Sequence, residues 1–268
     1  MKTKPDTEAA TTYKIKLPPI SNVNFGTLLI EVFCERQKLG TATGFIVHKD
    51  DRRWFLITNR HVVTGRHQHT QKCLDKYLRL PTRIIVMHHE DSASRKLTAR
   101  EEFLYQDDGN FEVGRWVEHP HWGARADFVA LELKNLGGTW TQSWDLQPNF
   151  PEQAIAPAMP VSVVGYPFGI SYAENFPIWA TGFIASEPSL DYAGLPVILV
   201  DCRARQGQSG SPVVKHNLGA ATLMNNGSVK IGEHMTTFVG IYSGRINEES
   251  DIGMVWKRDA ILELVDSL

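Results

Sequence analysis

Short apolar runs rich in β-branched residues, separated by turn residues, are the feature of this sequence that most restricts its fold. Such runs are typical of strands, and turn signals such as Asp50-Asp51 and the Asp-Asp-Gly-Asn segment at 107–110 lie between them. In the first half of the chain the predicted strands are 27–33, 40–47, 54–58, 83–87, 111–116 and 128–133. About six strands in one half of a chain favour a closed β-barrel.

A second series of strands follows residues 134–160, a stretch with little regular pattern that we interpret as a linker. The predicted strands of this series are 161–165, 178–185, 196–202, 211–215, 236–243 and 252–256. We therefore expect an all-β chain in three parts: an N-terminal tail (1–20), a first barrel (21–145) and a second barrel (146–268). The last segment, 258–268, has apolar residues at helical spacing and predicts a short C-terminal helix.

The composition is that of an ordinary soluble globular protein, with 42% hydrophobic and 22% charged residues. A net charge of −2 gives no reason to expect nucleic acid or an anionic membrane as the main partner. No run of 18 apolar residues predicts a membrane span, and the N-terminus lacks the apolar stretch of a secretory signal, so we expect a cytoplasmic protein. Three cysteines (Cys34, Cys73 and Cys202) do not form a disulfide framework, and we expect free thiols, with Cys202 an inert core residue.

The segment 205–212 is the strongest chemical signal in the chain because it places a serine between glycines. Gly207 and Gly210 allow the backbone around Ser209 to turn tightly and to aim its N–H groups inward, since no Cβ blocks a positive φ. Such a turn can present a serine hydroxyl together with an oxyanion hole.

A histidine and an aspartate upstream provide what such a serine needs. A hydroxyl attacks a carbonyl at neutral pH only with the help of a base, and histidine suits that role because its ordinary pKa is about 6.5. His61 follows one apolar run, and Asp127 opens another, from which a carboxylate could orient the imidazole. Our hypothesis is that Ser209 is a nucleophile, His61 a general base and then acid, and Asp127 the orienting carboxylate.

The three sites together resemble the chymotrypsin-like serine protease family, most closely its bacterial Deg-type branch. The residues that carry the resemblance are Thr-Asn-Arg-His-Val-Val at 58–63, Ala-Asp-Phe-Val-Ala-Leu at 126–131 and Gly-Gln-Ser-Gly-Ser-Pro at 207–212. The order His, Asp, Ser also matches, whereas an α/β-hydrolase runs Ser, Asp or Glu, His and needs a glycine where Ser211 stands. The resemblance implies two six-stranded antiparallel β-barrels, the active site in the cleft between them, and a helix at the C-terminus. We expect no PDZ-like module after the second barrel, which would depart from the Deg-type pattern.

The resemblance also implies a set of binding residues. The backbone N–H groups of Gly207 and Ser209 would form the oxyanion hole. Arg203 would lie at the base of the specificity pocket. Its wall would come from Ser243, Gly244 and Arg245, and the substrate backbone would pair with Tyr242, Ser243 and Gly244 as an added strand.

The preferred substrate side chain is open between two alternatives. The two arginines near the pocket, Arg203 and Arg245, could favour an acidic side chain, because guanidinium binds carboxylate through two hydrogen bonds. They could equally lie in solvent or pair with Asp201 or Glu248, which would leave a preference for small apolar residues.

Other features point away from a cofactor. The histidine pairs 67/69, 88/89 and 119/121 lack the spacing of a metal-binding helix or a nearby Cys-x-x-Cys, and we interpret them as surface histidines. The sequence has no phosphate-binding glycine loop and no dinucleotide fingerprint.

Ser211 stands where the family usually has glycine, and we expect this change to be tolerated.

We therefore expect a serine endopeptidase that acts on protein or peptide substrates through an acyl-enzyme intermediate, without metal or other cofactor. The alternative is a latent or silent protease-fold module that binds peptide or protein partners. The sequence leaves the oligomeric state open.

Overall fold

The computed structural model of the protein describes residues 20–50, 53–92, 96–107, 110–146, 152–173, 175–219, 221–247 and 249–268. Most of the predicted N-terminal tail, parts of the turns at 50–51 and 107–110, and Glu248 lie outside the described residues. Within them, no helix combines the length and apolar character needed to cross a bilayer.

The N-terminal half forms one large antiparallel sheet. Its strands are β1 (Thr27–Cys34), β2 (Gln37–Asp50), β3 (Arg53–Thr58), β4 (Arg83–His89), β5 (Leu97–Phe103), β8 (Trp116–Glu118) and β9 (Val129–Glu132), with the hairpin β6 (Tyr105–Asp107) and β7 (Asn110–Gly114) beside them. Two short helices accompany the sheet: α1 (Asn22–Phe25) and α2 (Arg60–Thr64). The strand order is β5-β4-β1-β2-β3-β9-β8.

This sheet differs from the predicted closed, six-stranded barrel. It has seven strands, and among the described residues no strand ladder joins its edge strands β5 and β8. A backbone hydrogen bond from Arg115 N–H to the Leu104 carbonyl (2.8 Å) links the two chain segments there. The predicted strand 111–116 is divided between β7 and β8, and the Trp116 ring lies against Gly114, where a Cβ would be 2.5 Å from the ring. The first part pairs with β6 and the second with β9.

The C-terminal half confirms the prediction of a six-stranded barrel. Its strands close in the order β10-β11-β12-β17-β16-β13. They are β10 (Pro160–Gly165), β11 (Ile178–Ile184), β12 (Val197–Asp201), β13 (Pro212–Leu218), β16 (His234–Arg245) and β17 (Ile252–Lys257), with the small hairpin β14 (Thr222–Leu223) and β15 (Val229–Lys230). A 3-10 turn, Pro167–Gly169, follows β10, and the predicted C-terminal helix is α3 (Arg258–Asp266).

The two halves share an apolar core. Phe45 and Phe128 of the N-terminal half contact Phe238 and Trp256 of the barrel, with ring centroids 5.2 and 5.3 Å apart. The apolar face of α3 packs into the same cluster, because the helix returns from the barrel to the sheet. Burial of these large side chains fixes the position of the sheet relative to the barrel, and hence the cleft between them.

Candidate active site

His61 lies on a single helical turn that the end of β3 presents at the cleft. Asn59 precedes this turn and is fully buried, and its Nδ2 donates a hydrogen bond to the Asp127 carbonyl (2.7 Å). The turn ends at Gly65, whose φ of 65° is left-handed and whose N–H donates to the His61 carbonyl (2.9 Å). The backbone of His61 is therefore fixed on both sides.

Asp127 holds the imidazole through both of its oxygens. Oδ2 lies 2.7 Å from His61 Nδ1, and Oδ1 accepts the His61 backbone N–H at 3.0 Å. The carboxyl group is 3% exposed, which removes competing water. A carboxylate can only accept, so Nδ1 carries the proton and Nε2 has a lone pair toward the cleft.

Ser209 lies on a turn whose shape depends on two glycines. Gly207 has a φ of 96° and Gly210 a φ of 85°, both left-handed. A Cβ on Gly210 would lie 2.1 Å from the Thr43 carbonyl oxygen, and one on Gly207 would lie 2.4 Å from that of Tyr166. The turn therefore packs against backbone on both flanks, which only glycine permits.

Thr43 of β2 ties this turn to the N-terminal sheet. Its N–H donates to the Ser209 carbonyl (2.9 Å), and its Oγ1 donates to the Gly207 carbonyl (2.8 Å). The threonine thus ties the turn that carries Ser209, the predicted nucleophile, to the half of the molecule that carries His61. Sequence reasoning does not single out Thr43, because nothing local to residue 43 indicates a partner more than 160 positions away.

The N–H groups of Gly207 and Ser209 have no acceptor among the described residues. The Gln206 carbonyl accepts the Phe168 N–H (2.6 Å), which fixes the peptide that carries the Gly207 N–H. Gln208 is buried, and its Oε1 accepts the Arg205 N–H (2.8 Å), which braces the loop from within. The geometry leaves two backbone donors available beside Ser209.

The predicted residues His61, Gly207 and Ser209 line one cavity of about 540 Å³. Within the described part of the chain, the Ser209 hydroxyl makes no hydrogen bond to His61. Catalytic hydrogen bonds of unliganded enzymes are often long and tighten only when substrate binds.

Ser211 is accommodated through a compensating glycine. The side chain is fully buried, and its Oγ occupies the space beside Gly165, where a Cβ would come within 2.0 Å of it. The extra hydroxymethyl group therefore fits in the fold because residue 165 has no side chain.

The residues predicted to bind substrate differ in their exposure to solvent. Arg203 and Arg245 are exposed, and neither forms an ion pair among the described residues, whereas Arg205 pairs with Asp251 (3.0 Å). Tyr242 is buried, and its ring lies against Gly253, where a Cβ would be 2.4 Å from the ring.

One part of the predicted substrate edge is wrong. The Tyr242 N–H donates to the Ser211 carbonyl (2.9 Å), and the Tyr242 carbonyl accepts the Gly210 N–H (3.0 Å). Both groups hold the turn that carries Ser209, so the part of this edge that could pair with a substrate begins at Ser243. The Ser243 hydroxyl donates to Gln68 Oε1 (3.2 Å), a contact across the cleft that sequence reasoning misses.

The cysteines and the paired histidines lie away from this chemistry. All three cysteines are free, and burial raises the pKa of Cys202 to about 11, so its thiol stays protonated. The interpretation of the histidine pairs as surface residues is wrong for His88, His89 and His119, which are each 1% exposed. Within the described ranges, no group of three or more potential metal ligands comes together.

Comparison with known proteins places this geometry in a family. The model of the trypsin-like peptidase domain matches residues 42–221. No curated protein shows a significant match.

Solved serine proteases share the fold at low sequence identity. The serine endoprotease from Yersinia pestis has a TM-score of 0.51 and 14% identity over 94% of this chain and 67% of its own. The active form of the Rv3671c protease from M. tuberculosis has a TM-score of 0.50 and 16% identity, covering 96% and 93%. The thermostable serine protease AL20 from an extremophilic microorganism has a TM-score of 0.50 and 13% identity, covering 92% and 98%. Since the family model spans more than half of the sequence, this chain belongs to the trypsin-like peptidase domain family.

Proposed function

We propose that this protein is a serine endopeptidase in which His61, Asp127 and Ser209 act as a catalytic triad. The observation that carries the proposal is the pair formed by the part-buried His61 and the buried Asp127, joined at 2.7 Å and opening on the cavity that Ser209 lines. Family membership supports hydrolysis of peptide bonds as the reaction. The substrate is a protein or peptide.

In the first step, Ser209 Oγ attacks the carbonyl carbon of the scissile bond while His61 Nε2 takes the hydroxyl proton. The carbonyl oxygen becomes an oxyanion that accepts the N–H groups of Gly207 and Ser209, and loss of one such donor typically costs about 3–4 kcal/mol of transition-state stabilisation. The C–N bond then breaks, and His61 delivers its proton to the leaving amine.

In the second step, water completes the hydrolysis. His61 removes a proton from a water molecule as its oxygen attacks the acyl-enzyme ester. The bond to Ser209 Oγ breaks, the serine regains the proton from His61, and the carboxylic acid product leaves. All proton transfers use His61, so the proposed reaction requires no metal or other cofactor.

Of the two preferences considered for the side chain before the scissile bond, we favour a small apolar one. Both arginines predicted near the pocket are exposed, so each would lose side-chain freedom in order to bind a carboxylate. Arg203 and Arg245 are exposed and available to a carboxylate, which is the basis of the acidic alternative.

A latent protease-fold module is the second candidate, and one contact favours it. Gln68 reaches over the substrate edge to the Ser243 hydroxyl (3.2 Å), at the place where a substrate strand would have to lie. A protein in which this contact persists would retain all three triad residues and still not cleave peptides.

Labelling with a fluorophosphonate probe, followed by intact mass, separates the two candidates. We expect one label on the wild type and none on Ser209→Ala, because only a serine activated by its histidine reacts rapidly with the probe. No label on either protein would favour the latent module. A label on both would place the reactive group elsewhere and contradict the assignment of Ser209.

A further inference from the structure

The cavity beside Ser209 is lined mainly by the N-terminal half of the chain. Its wall comes from β1, β2, α2 and the loop of residues 65–82 that follows α2. The cavity has a volume of about 540 Å³, and the barrel contributes only the Gln206–Ser209 region to its wall. None of the residues from Tyr242 to Arg245 lines it.

The lining identifies the part of a substrate that would enter the cavity. The acyl part of a substrate would pair with the edge of β16 that begins at Ser243. A chain that passes Ser209 from that edge would continue toward the part of the site that β16 does not line, which is where the cavity lies. His61, which would protonate the leaving amine, forms part of the cavity wall. The cavity is therefore on the leaving-group side of the scissile bond.

The wall of the cavity is partly apolar, and two of its charged side chains pair with each other. Its larger apolar residues are Val32, Leu39, Val62, Leu74 and Pro81, and polar side chains such as Thr41 and Gln206 form part of the rest. On the rim, Arg79 binds Asp75 through two hydrogen bonds, Nε–Oδ1 at 3.0 Å and Nη2–Oδ2 at 2.8 Å. The Arg79 guanidinium lowers the pKa of Asp75 to about 2, so this pair remains charged and satisfied at working pH. Lys76 adds one cation at the rim.

We propose that this cavity is a specificity site for a bulky apolar side chain, such as Leu or Phe, on the substrate residue that follows the scissile bond. The proposal rests on the proposed peptidase function. The apolar wall stabilises such a side chain by removing it from water, while a glycine in that place would leave the cavity filled with solvent. Differences of this kind in an apolar pocket change kcat/KM by about 10- to 200-fold.

Gly40 provides a way to fill the cavity by mutation. It lies directly opposite Val32 in the ladder between β1 and β2, so the two residues face the same side of the sheet. Val32 lines the cavity, and a Cβ on Gly40 would meet no atom within 4 Å. Leucine at position 40 would thus grow into the cavity. Gly137→Leu is the matched control, because a Cβ there also meets nothing within 4 Å and the residue lies outside the cavity wall.

The test uses quenched fluorescent peptides that differ only in the residue after the scissile bond, which is Phe, Leu, Glu or Gly. For the wild type and Gly137→Leu we expect kcat/KM to be about 10- to 100-fold higher for Phe and Leu than for Gly. In Gly40→Leu the ratio of Phe to Gly should fall toward one. Equal rates for Phe and Gly in the wild type, or an unchanged ratio in Gly40→Leu, would overturn the proposal.

Two further measurements distinguish a failure of this proposal from misfolding of a variant and from a failure of the proposed peptidase function. Leu74 is 53% exposed, so Leu74→Ala should fold and lower the Phe-to-Gly ratio several-fold by thinning the wall. If no peptide is cleaved, binding of the same labelled peptides to Ser209→Ala, read by fluorescence anisotropy, still tests the site. Tighter binding of the Phe peptide that is lost in the Ser209→Ala/Gly40→Leu double variant supports the cavity assignment. Equal binding of the Phe and Gly peptides rejects it.

Discussion

The two halves of this molecule position their parts of the active site by opposite means. In the N-terminal half, polar side chains hold His61. The Asp127 carboxyl group contacts the imidazole and accepts the backbone N–H of His61, and Asn59 Nδ2 donates to the Asp127 carbonyl. The turn that carries Ser209 is held by backbone hydrogen bonds and by Thr43, and it depends on two missing side chains, since Gly207 and Gly210 let backbone approach backbone. The first arrangement depends on polar side chains, and the second on glycine.

This difference predicts different responses to mutation. A buried polar network can lose its chemistry while keeping its shape, because an isosteric side chain fits the same site. A glycine turn against backbone has no isosteric replacement, so mutation there changes the shape itself. Substitutions in the N-terminal half should therefore separate activity from stability, and those in the barrel turn should lower both together.

The largest effect is expected for Asp127→Asn. Oδ1 accepts the His61 N–H, so the Asn amide would turn its Nδ2 toward Nδ1 of the imidazole. Nδ1 would then have to accept, and the proton would move to Nε2, where the base is needed. We expect kcat to fall about 10⁴-fold, as this wrong tautomer does in other triads, with little change in the free energy of unfolding. Steady-state kinetics and urea unfolding measure the two quantities.

Asp145→Asn is the control for this prediction, because that carboxyl group is exposed and outside the site. It should leave both kinetics and stability as in the wild type. If Asp127→Asn retained wild-type kcat, His61 would not depend on this carboxylate and the proposed triad would be wrong.

Gly210→Ala should have the next largest effect. The new Cβ would lie 2.1 Å from the Thr43 carbonyl oxygen at a φ of 85°, so both strain and a steric clash arise. We expect a loss of about 3–5 kcal/mol in the free energy of unfolding, together with loss of fluorophosphonate labelling as the Ser209 turn moves.

Gly232→Ala separates the strain of the positive φ from the steric clash. Gly232 has a similar φ of 81°, yet a Cβ there meets nothing within 4 Å. It should cost only about 1–2 kcal/mol, the strain of the left-handed backbone alone. If Gly210→Ala were no more destabilising than Gly232→Ala, the close approach of the turn to β2 would not matter to the fold.

The parts that the sequence predicts correctly are those that local pattern determines. Gly-Gln-Ser-Gly at 207–210 indicates a tight turn without any knowledge of its surroundings, and the apolar spacing in 258–268 indicates a helix. The parts that it misses depend on contacts between distant segments. Thr43 binds the Ser209 turn, and the backbone of Tyr242 is used by the same turn, through hydrogen bonds that no local motif records.

The buried histidines are an intermediate case, because a local signal exists. In β4, Ile84, Val86 and His88 alternate and are all buried, so the strand period itself places His88 in the core. Residue type alone predicts a surface histidine at position 88, whereas the alternating pattern of the strand predicts a buried one. The alternating pattern gives the correct result.

The burial of His88 predicts that acid destabilises the N-terminal half. Burial, with smaller contributions from Arg100 and His89, lowers the pKa of His88 from 6.5 to about 4. Between these two values the unfolded chain binds a proton that the folded chain does not, so stability is complete above pH 6.5 and falls as the pH is lowered toward 4. The loss from this group is at most about 3 kcal/mol. Burial lowers the pKa of His89 and His119 in the same half, and of His216 in the barrel.

His88→Phe should therefore flatten the dependence of unfolding free energy on pH between 6.5 and 4, because the variant has no group at that site to protonate in the unfolded chain. Urea unfolding followed by circular dichroism at several pH values measures the slope, and His69→Ala, at an exposed site, is the matched control. Equal slopes in the wild type and His88→Phe would mean that His88 is accessible to protons in the folded state. A flatter slope in His88→Phe alone would show that the sheet which positions His61 contains an acid-sensitive group.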